Sequence, residues 1–532
     1  MKQNHFAGTG KLLKLYLRRD RIVLPIWTLL PIFLIMSQLS FVKAMPDWQV
    51  FIAELSASPV TAAMLGPIIP LSIEGAILWR GLLQASIAVM FGAALIMIRH
   101  TRTEEASGRN ELILGRSVGR YANLSAALIL SCGGSLLAGL LTAAVLMGNG
   151  LAGNGSLLAG LTLAASGCIF AGIGGFVAQI FEHSGSARGC IFGVYMLTMV
   201  AMILNNIGGG STGWAWLAPE AWFRITVPYE GNHAWKLLIF IVLSALPIML
   251  SYMLLVRRDM GAGLIAQKEG SADASPRFNS SMAFAWRQQK GSILVWVIGM
   301  AWLGGIMGMG TPNISEAISS TFAHMDTSWA SAIVKLGNHE AFIAIFIYML
   351  GLMGGLSVFA ITAVQRLRQE EKEHYAEMVL SRPVSRVKWM GSYLAVAFAG
   401  SVLILFALGL ASGLGWSIAA GEFSHFPRVL AMSLSKIPSV WTFIGIAAFL
   451  YGWLPRIADL LNWLILGVFI FIEMLWEVGI AGWSAMQWTP FAYAHYIIPI
   501  HELSIVPLIV LTGITAVFIW LGFIGFGRRS IR

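Results

Sequence analysis

Residues 99–121 read RHTRTEEASGRNELILGRSVGRY, and residues 365–388 read QRLRQEEKEHYAEMVLSRPVSRVK. With a shift of 266 the two superpose. Arg102 falls on Arg368, Glu104 and Glu105 on Glu370 and Glu371, Glu111 on Glu377, Leu114 on Leu380, Arg116 on Arg382, Val118 on Val384 and Arg120 on Arg386. Eight identities in nineteen positions, far above chance, mark an internal repeat. A looser match brings Arg18–Trp27 near Arg287–Trp296. The shift is half of 532, so the chain reads as two copies of one unit.

Around these polar stretches the chain is too apolar for water. Apolar residues make up 57%, charged residues 11%, and the mean hydropathy is +0.75, where a soluble domain carries about 25% charged residues. Twelve apolar windows fall near 22–41, 76–98, 122–148, 156–181, 189–208, 237–256, 292–310, 341–364, 389–416, 430–453, 458–479 and 503–526, each long enough for a membrane span of roughly 20 residues. The 57 glycines suit close helix packing in lipid. The expected fold is an all-α integral membrane protein of two six-span halves, 1–256 and 282–532, joined by a polar cytoplasmic linker at 257–281. The first window lacks a small-residue cleavage site and reads as an uncleaved anchor.

The charge of +10 is a topology signal. With the N-terminus inside, alternate loops on the cytoplasmic side hold 28 of the 35 Lys and Arg, as the positive-inside rule requires. Both termini are therefore expected in the cytoplasm, and no nucleic-acid partner is needed to explain the charge. Six spans per half give the halves the same orientation and a pseudo-two-fold axis along the membrane normal, with a substrate route between them. Cys132, Cys168 and Cys190 lie in or beside apolar segments without metal-ligand spacing and read as packing residues.

The repeated loop is the strongest functional signal. Both copies keep EE-x5-E-x2-L-x-R-x-V-x-R. Glu105 and Arg109 are spaced i, i+4, and Leu112, Ile113 and Leu114 add an apolar side, so a short amphipathic helix on the cytoplasmic surface is expected. The loop reads as a docking element for a cytoplasmic partner, presented twice; a headgroup anchor or an intramolecular salt-bridge frame is the alternative.

These features resemble the permease subunit of ABC exporters of the polyketide-antibiotic and multidrug type, in the type-2 ABC transporter superfamily. The resemblance rests on both loops, on a basic amphipathic elbow before each first span (KLLKLYLRR at 11–19, AWRQQK at 285–290), and on RRDMGAGL at 257–264. It implies that Glu104, Glu105 and Glu111, with Glu370, Glu371 and Glu377, lie on coupling helices that dock on two ATPase subunits, flanked by Arg102, Arg116, Arg120, Arg368, Arg382 and Arg386. Where the first loop has Gly108 the second has His374, so the two docking sites need not be equivalent. The sequence contains no G-x4-G-K-[ST] phosphate loop; the nearest stretch, Gly8-Thr9-Gly10-Lys11, lacks the spacing. ATP and Mg would therefore bind a partner ATPase, with no cofactor in this chain, and its strokes would drive alternating access for hydrophobic or amphipathic compounds such as antibiotics.

Substrate contacts are sought among polar groups inside apolar spans, where they are costly. Arg80, Asn205, Asn206, Glu473 and Glu477 qualify; the carboxylates would attract a cationic amphiphile, or else sit at headgroup level or pair with Arg80 or Lys436. Two Trp-x-Pro-aromatic stretches, WLAPEAWF at 216–223 and WTPFAYAHY at 488–496, read as short or re-entrant helices capping an external gate, or as an interfacial aromatic belt. The histidines show no zinc spacing, and no catalytic cluster stands out. A proton-coupled transporter with two six-span halves is the runner-up, although its G-x3-D-R-x-G-R-R loop is absent; a polytopic membrane enzyme is a third reading.

Overall fold

Long apolar runs with few charges leave a backbone in lipid only one way to satisfy its own N–H and C=O groups within a single segment, the α-helix. The computed structural model follows this rule. It describes residues 5–44, 72–106, 118–208, 212–258, 263–265, 280–322, 338–381, 383–477, 481–494 and 505–529, with Gly108 and isolated positions between 49 and 68. Among the described residues there is no strand beyond a single bridge between Phe181 and Ile265. Eleven helices among them are long and apolar enough to cross a membrane. The remaining expected window coincides with Ala458–Glu477, a helix of 20 residues. The chain is an all-α, multi-pass membrane protein.

By its internal contacts the chain divides into two units, Met1–Gly270 and Ser271–Arg532. In the first, a short helix, Thr9–Arg19, precedes the spans Val23–Ala44, Ile73–Ala106, Ala122–Gly148, Gly153–Ile180, Ser184–Ile207 and Lys236–Arg257. The second unit holds Ser281–Phe322, Phe342–Lys372, Arg386–Ala420, Phe426–Trp453, Ala458–Glu477 and Ile505–Arg528.

The elbow expected before each first span is a separate helix only in the first half. There the chain turns at Asp20–Ile22 before Val23. In the second half AWRQQK runs unbroken into the 42-residue helix Ser281–Phe322. Pro25 fits the difference: without an N–H it cannot bond back to the Arg21 carbonyl, which weakens a continuous helix there, while a proline is tolerated in a first turn. The looser repeat puts Leu294 in its place. Pro438 likewise interrupts the tenth span, which is built from Phe426–Leu434 and Ile437–Trp453.

The second span of each half contains a π-helical stretch, Leu78–Leu82 in one and Ile347–Leu356 in the other, a widening of the helix that often accompanies function. The third and fourth spans of the first half meet backbone to backbone. A Cβ on Gly139 would lie 2.2 Å from the Gly160 carbonyl oxygen, and one on Gly160 equally close to that of Gly139. Small residues at such a crossing replace the hydrophobic driving force that lipid cannot supply.

Replacing Gly160 with Leu is expected to force these spans apart at a cost of about 1–3 kcal/mol, read as a lower Tm in detergent. Gly133→Leu is the control, because Gly133 has nothing within 4 Å of its Cβ position, and its Tm should not fall.

Candidate functional site

The repeated loops build the same ion-pair frame at one end of each half. In the first half the second span passes almost directly into a five-residue helix, Arg102–Ala106. Glu105 accepts from Arg102 Nη1 and from Arg258 Nη2, both at 2.6 Å. Arg102, almost wholly buried, also donates its Nε to the Glu182 carbonyl at 2.5 Å, and Arg258 donates its Nε to Gln179 Oε1 at 2.7 Å. One carboxylate thereby joins the end of the second span to the residue that follows the sixth. Arg120 completes the join from the start of the third span, donating Nη2 to the carbonyls of Leu255, Val256 and Arg258 at 3.0, 3.1 and 3.2 Å. A helix C-terminus leaves carbonyls without partners and carries negative dipole charge, so a guanidinium fits there on both counts.

The second half repeats the main elements. Arg386 donates Nη1 to the carbonyls of Phe526, Gly527 and Arg529 at 3.1, 3.1 and 2.6 Å. Glu371 accepts from Arg529 Nη2 at 2.5 Å and from the Tyr451 hydroxyl at 2.7 Å, with Arg368 at 3.7 Å. The Arg529 guanidinium lies 4.8 Å from the Tyr451 ring centre, so Tyr451 supports Arg529 from the fourth span of its half as Gln179 supports Arg258 in the first.

The neighbouring glutamates are neutralised by different routes. Glu104 pairs with Arg19 of the Thr9–Arg19 helix, whereas Glu370 pairs at 3.1 Å with Arg366 on its own helix. At the place of Arg19 the second half has Gln288, which accepts from Arg366 Nη2 at 2.9 Å. The first half also buries Asp20 against His100 Nε2 at 2.5 Å and Arg99 at 3.2 Å. Tyr16 stacks on His100 at 4.1 Å and donates to Asn123 Oδ1 at 2.5 Å. Burial pushes the Asp20 carboxyl up, but the bond and charge of His100, with Arg99 and Arg19, outweigh it and hold it below its ordinary value. Burial, together with the Glu104 charge, raises the Tyr16 phenol.

The loop motif thus separates into two parts. Glu104 and Glu105 lie on the short Arg102–Ala106 helix and Glu370 and Glu371 near the end of the helix Ser357–Lys372, and all four are engaged in ion pairs within their own half. Glu377 stands apart on Tyr375–Leu380, a six-residue helix that buries Ala376 completely and exposes Tyr375 and Met378 by 45% and 64%. His374, which opens this helix, has φ 62°, and Gly108 has φ 70°. The Gly-to-His change therefore keeps one left-handed backbone position, which His tolerates better than most residues. Glu111, Arg116 and Arg382 lie outside the described residues, as does the Glu477 side chain.

The remaining candidates scatter. Arg80 sits on an exposed face of the π-helical stretch, and Glu473 is fully buried in the eleventh span. Asn205 Oδ1 accepts from Thr212 N and Oγ1 at 3.1 and 2.8 Å. Asn206 donates to the Ala63 carbonyl at 2.8 Å and accepts from Arg224 Nη1 at 3.0 Å. These two amides tie down the connection after the fifth span. The tryptophan stretch beyond them forms short helical turns at Gly213–Leu217, Pro219–Ala221 and Phe223–Thr226. Its partner in the second half docks likewise: Ser166 donates to the Pro219 carbonyl at 2.6 Å and Ser439 to that of Pro490 at 3.1 Å.

Sequence comparison assigns this architecture to a family. Over 538 aligned residues the chain is 34% identical to the multidrug efflux system permease protein Rv1217c of Mycobacterium tuberculosis (strain ATCC 25618 / H37Rv), covering 99% of this chain and 96% of that protein. The chain belongs to the Rv1217c family of multidrug efflux permeases. The family model for the C-terminal domain of that permease matches residues 278–527, which contain the second copy of the frame. Arg258 enters the sequence reading only as part of RRDMGAGL at 257–264, and Arg529 and Tyr451 do not enter it, although Arg257-Arg258 and Arg528-Arg529 stand at the end of the last span of each half as matching pairs.

Glu105→Gln and Glu371→Gln should each destabilise their half by about 3–5 kcal/mol, the cost of leaving a buried arginine without its counter-charge, seen as a lower Tm. Asp20→Asn should lower Tm at neutral pH. Because the Asp20 carboxyl is held down in the folded state, its contribution is complete above the ordinary carboxylate range near about pH 4 and is lost as pH falls through its lowered value. The variant should accordingly show a shallower decline of Tm on acidification below about pH 4 than the parent.

Proposed function

We propose that this chain is the membrane permease subunit of an ATP-driven ABC exporter, moving hydrophobic or amphipathic compounds out of the cell by alternating access. Kinship along almost its whole length with a multidrug efflux permease is the observation that carries this reading. In it the chain lies in the cell membrane with both termini in the cytoplasm, as the distribution of Lys and Arg favours, and two separate ATPase subunits supply the energy.

The ATPases would dock on the loops after the second span of each half. The ion-pair frame supports this role mechanically. Glu105 and Glu371 bind the second span to the last span of the same half, so a push on the loop moves both helices together. The contact itself would fall to the outward residues, Tyr375, Glu377 and Met378 in the second half, since an exposed apolar cluster beside a charge suits a protein groove better than water. The inward glutamates would act through the frame and touch no partner. Asn205, Asn206, Arg80, Glu473 and Glu477 remain the candidates for contact with cargo.

Met378→Asp, alone and combined with Glu377→Lys, tests the docking role. Both variants should keep the parental Tm while permease-stimulated ATP hydrolysis and drug efflux fall at least tenfold. Glu371→Gln should lower Tm as well. Full coupling in the double variant would remove the second loop as a docking element. Efflux that persists without ATP and stops with a protonophore would replace the whole reading with a proton-coupled transporter.

A further inference from the structure

At the end of the first half opposite the ion-pair frame, a cavity of about 230 Å³ opens between the end of the fifth span, the tryptophan stretch and the start of the sixth. Asn205, Thr212, Trp216, Arg224 and Lys236 line it, with small apolar residues. We propose that it binds an oxyanion of the phosphate type, carried by the headgroup of an anionic phospholipid or supplied free in solution. The inference does not rest on the transport reading.

The donors are arranged for an anion. Arg224 makes a side-chain hydrogen bond through Nη1 to Asn206, a neutral partner, while its Nε and Nη2 are buried and have no hydrogen-bond partner among the described residues. A buried donor left without a hydrogen-bond partner is costly, and the planar fork of a guanidinium matches phosphate oxygens two at a time. Lys236 uses one of its three donors on the Ile225 carbonyl at 2.6 Å and has two to spare. Thr212 commits the Asn205 amide oxygen, so Asn205 has only its NH₂ to offer. Lys236 is also the first residue of a 22-residue helix with no acidic residue in its first turn, and a helix N-terminus adds positive potential.

One acid in the same stretch, Glu220, offsets these two charges only in part. Glu220, one turn before Arg224, is buried and neither of its oxygens has a hydrogen-bond partner; Thr198 spends its hydroxyl on the Tyr195 carbonyl. Burial raises the Glu220 carboxyl to about 7 against the pull of the Arg224 charge. Burial lowers the Arg224 guanidinium only to about 10, which leaves it charged near neutrality. The Glu220 carboxyl is no requirement of the fold, because after Pro490 the second half has the fully buried Phe491 where the first has Glu220 after Pro219.

The depth suits a headgroup. Arg120 caps the far end of Lys236–Arg257, so its first residue lies about 33 Å away along the helix, at the opposite boundary of a layer of lipid-core thickness. Exposed Trp214 and Trp235 stand at the same level, as aromatic side chains do at a membrane interface.

The test uses the full chain in nanodiscs of phosphatidylcholine with or without phosphatidylglycerol, and in detergent with inorganic phosphate. Retained lipid is counted by native mass spectrometry, and bound phosphate is read from the shift in Tm. The parent should retain phosphatidylglycerol, or be stabilised by millimolar phosphate, at least tenfold more effectively than an Arg224→Gln/Lys236→Gln variant. Arg224→Lys, which keeps the charge and guards against misfolding, should recover most of the effect. Lipid retention alone identifies the headgroup, and a phosphate response alone identifies a free ion. Equal binding by parent and double variant, or binding of neither anion by the parent, overturns the proposal.

Discussion

A single buried carboxylate in each half, Glu105 or Glu371, holds the end of the second span to the arginine that follows the last. These two helices lie far apart in sequence, and in lipid no hydrophobic effect brings them together. The ion pair does so at the point where the apolar layer ends and charge becomes affordable. Arg120 and Arg386 exploit the same boundary from the third span, closing carbonyls that a helix end leaves open. Everything built on that end, the Thr9–Arg19 helix in the first half and Tyr375–Leu380 in the second, inherits its position from this frame.

The two halves keep the frame and vary what surrounds it. One half delivers the cation for its first glutamate from the preceding helix, Arg19 to Glu104; the other delivers it along the same helix, Arg366 to Glu370. With Arg19 replaced by Gln288, the second half needs no separate elbow to place a charge, and with Leu294 at the place of Pro25 its helix runs straight through that point. The exchange of glycine for histidine between Gly108 and His374 leaves the backbone angle almost unchanged. At this one position the two loops differ in side-chain chemistry and keep the same backbone angle.

The opposite end is organised by tryptophan, proline and serine in place of charge. Ser166 and Ser439 fix the chain at Pro219 and Pro490. Trp222 stacks on Phe240 at 4.0 Å, pinning the first-half turns to the sixth span. Here the first half buries Glu220 where the second buries Phe491, and the cavity lies beside Glu220.

Composition, the 266-residue shift and the apolar windows were enough to give the class of fold and the repeat, because in lipid a chain this apolar satisfies its own backbone groups as helices. The Ala122–Gly148 helix matches its expected window residue for residue. The direction in which the conserved glutamates point was not legible, since the same spacing serves a solvent-facing docking helix and a buried ion pair. Deciding between them required Arg258 and Arg529, more than 150 residues along the chain from Glu105 and Glu371. Sequence spacing reports what lies on one helix face. Which charge meets which across helices is settled only by packing, and packing turned a surface motif into the internal brace of each half.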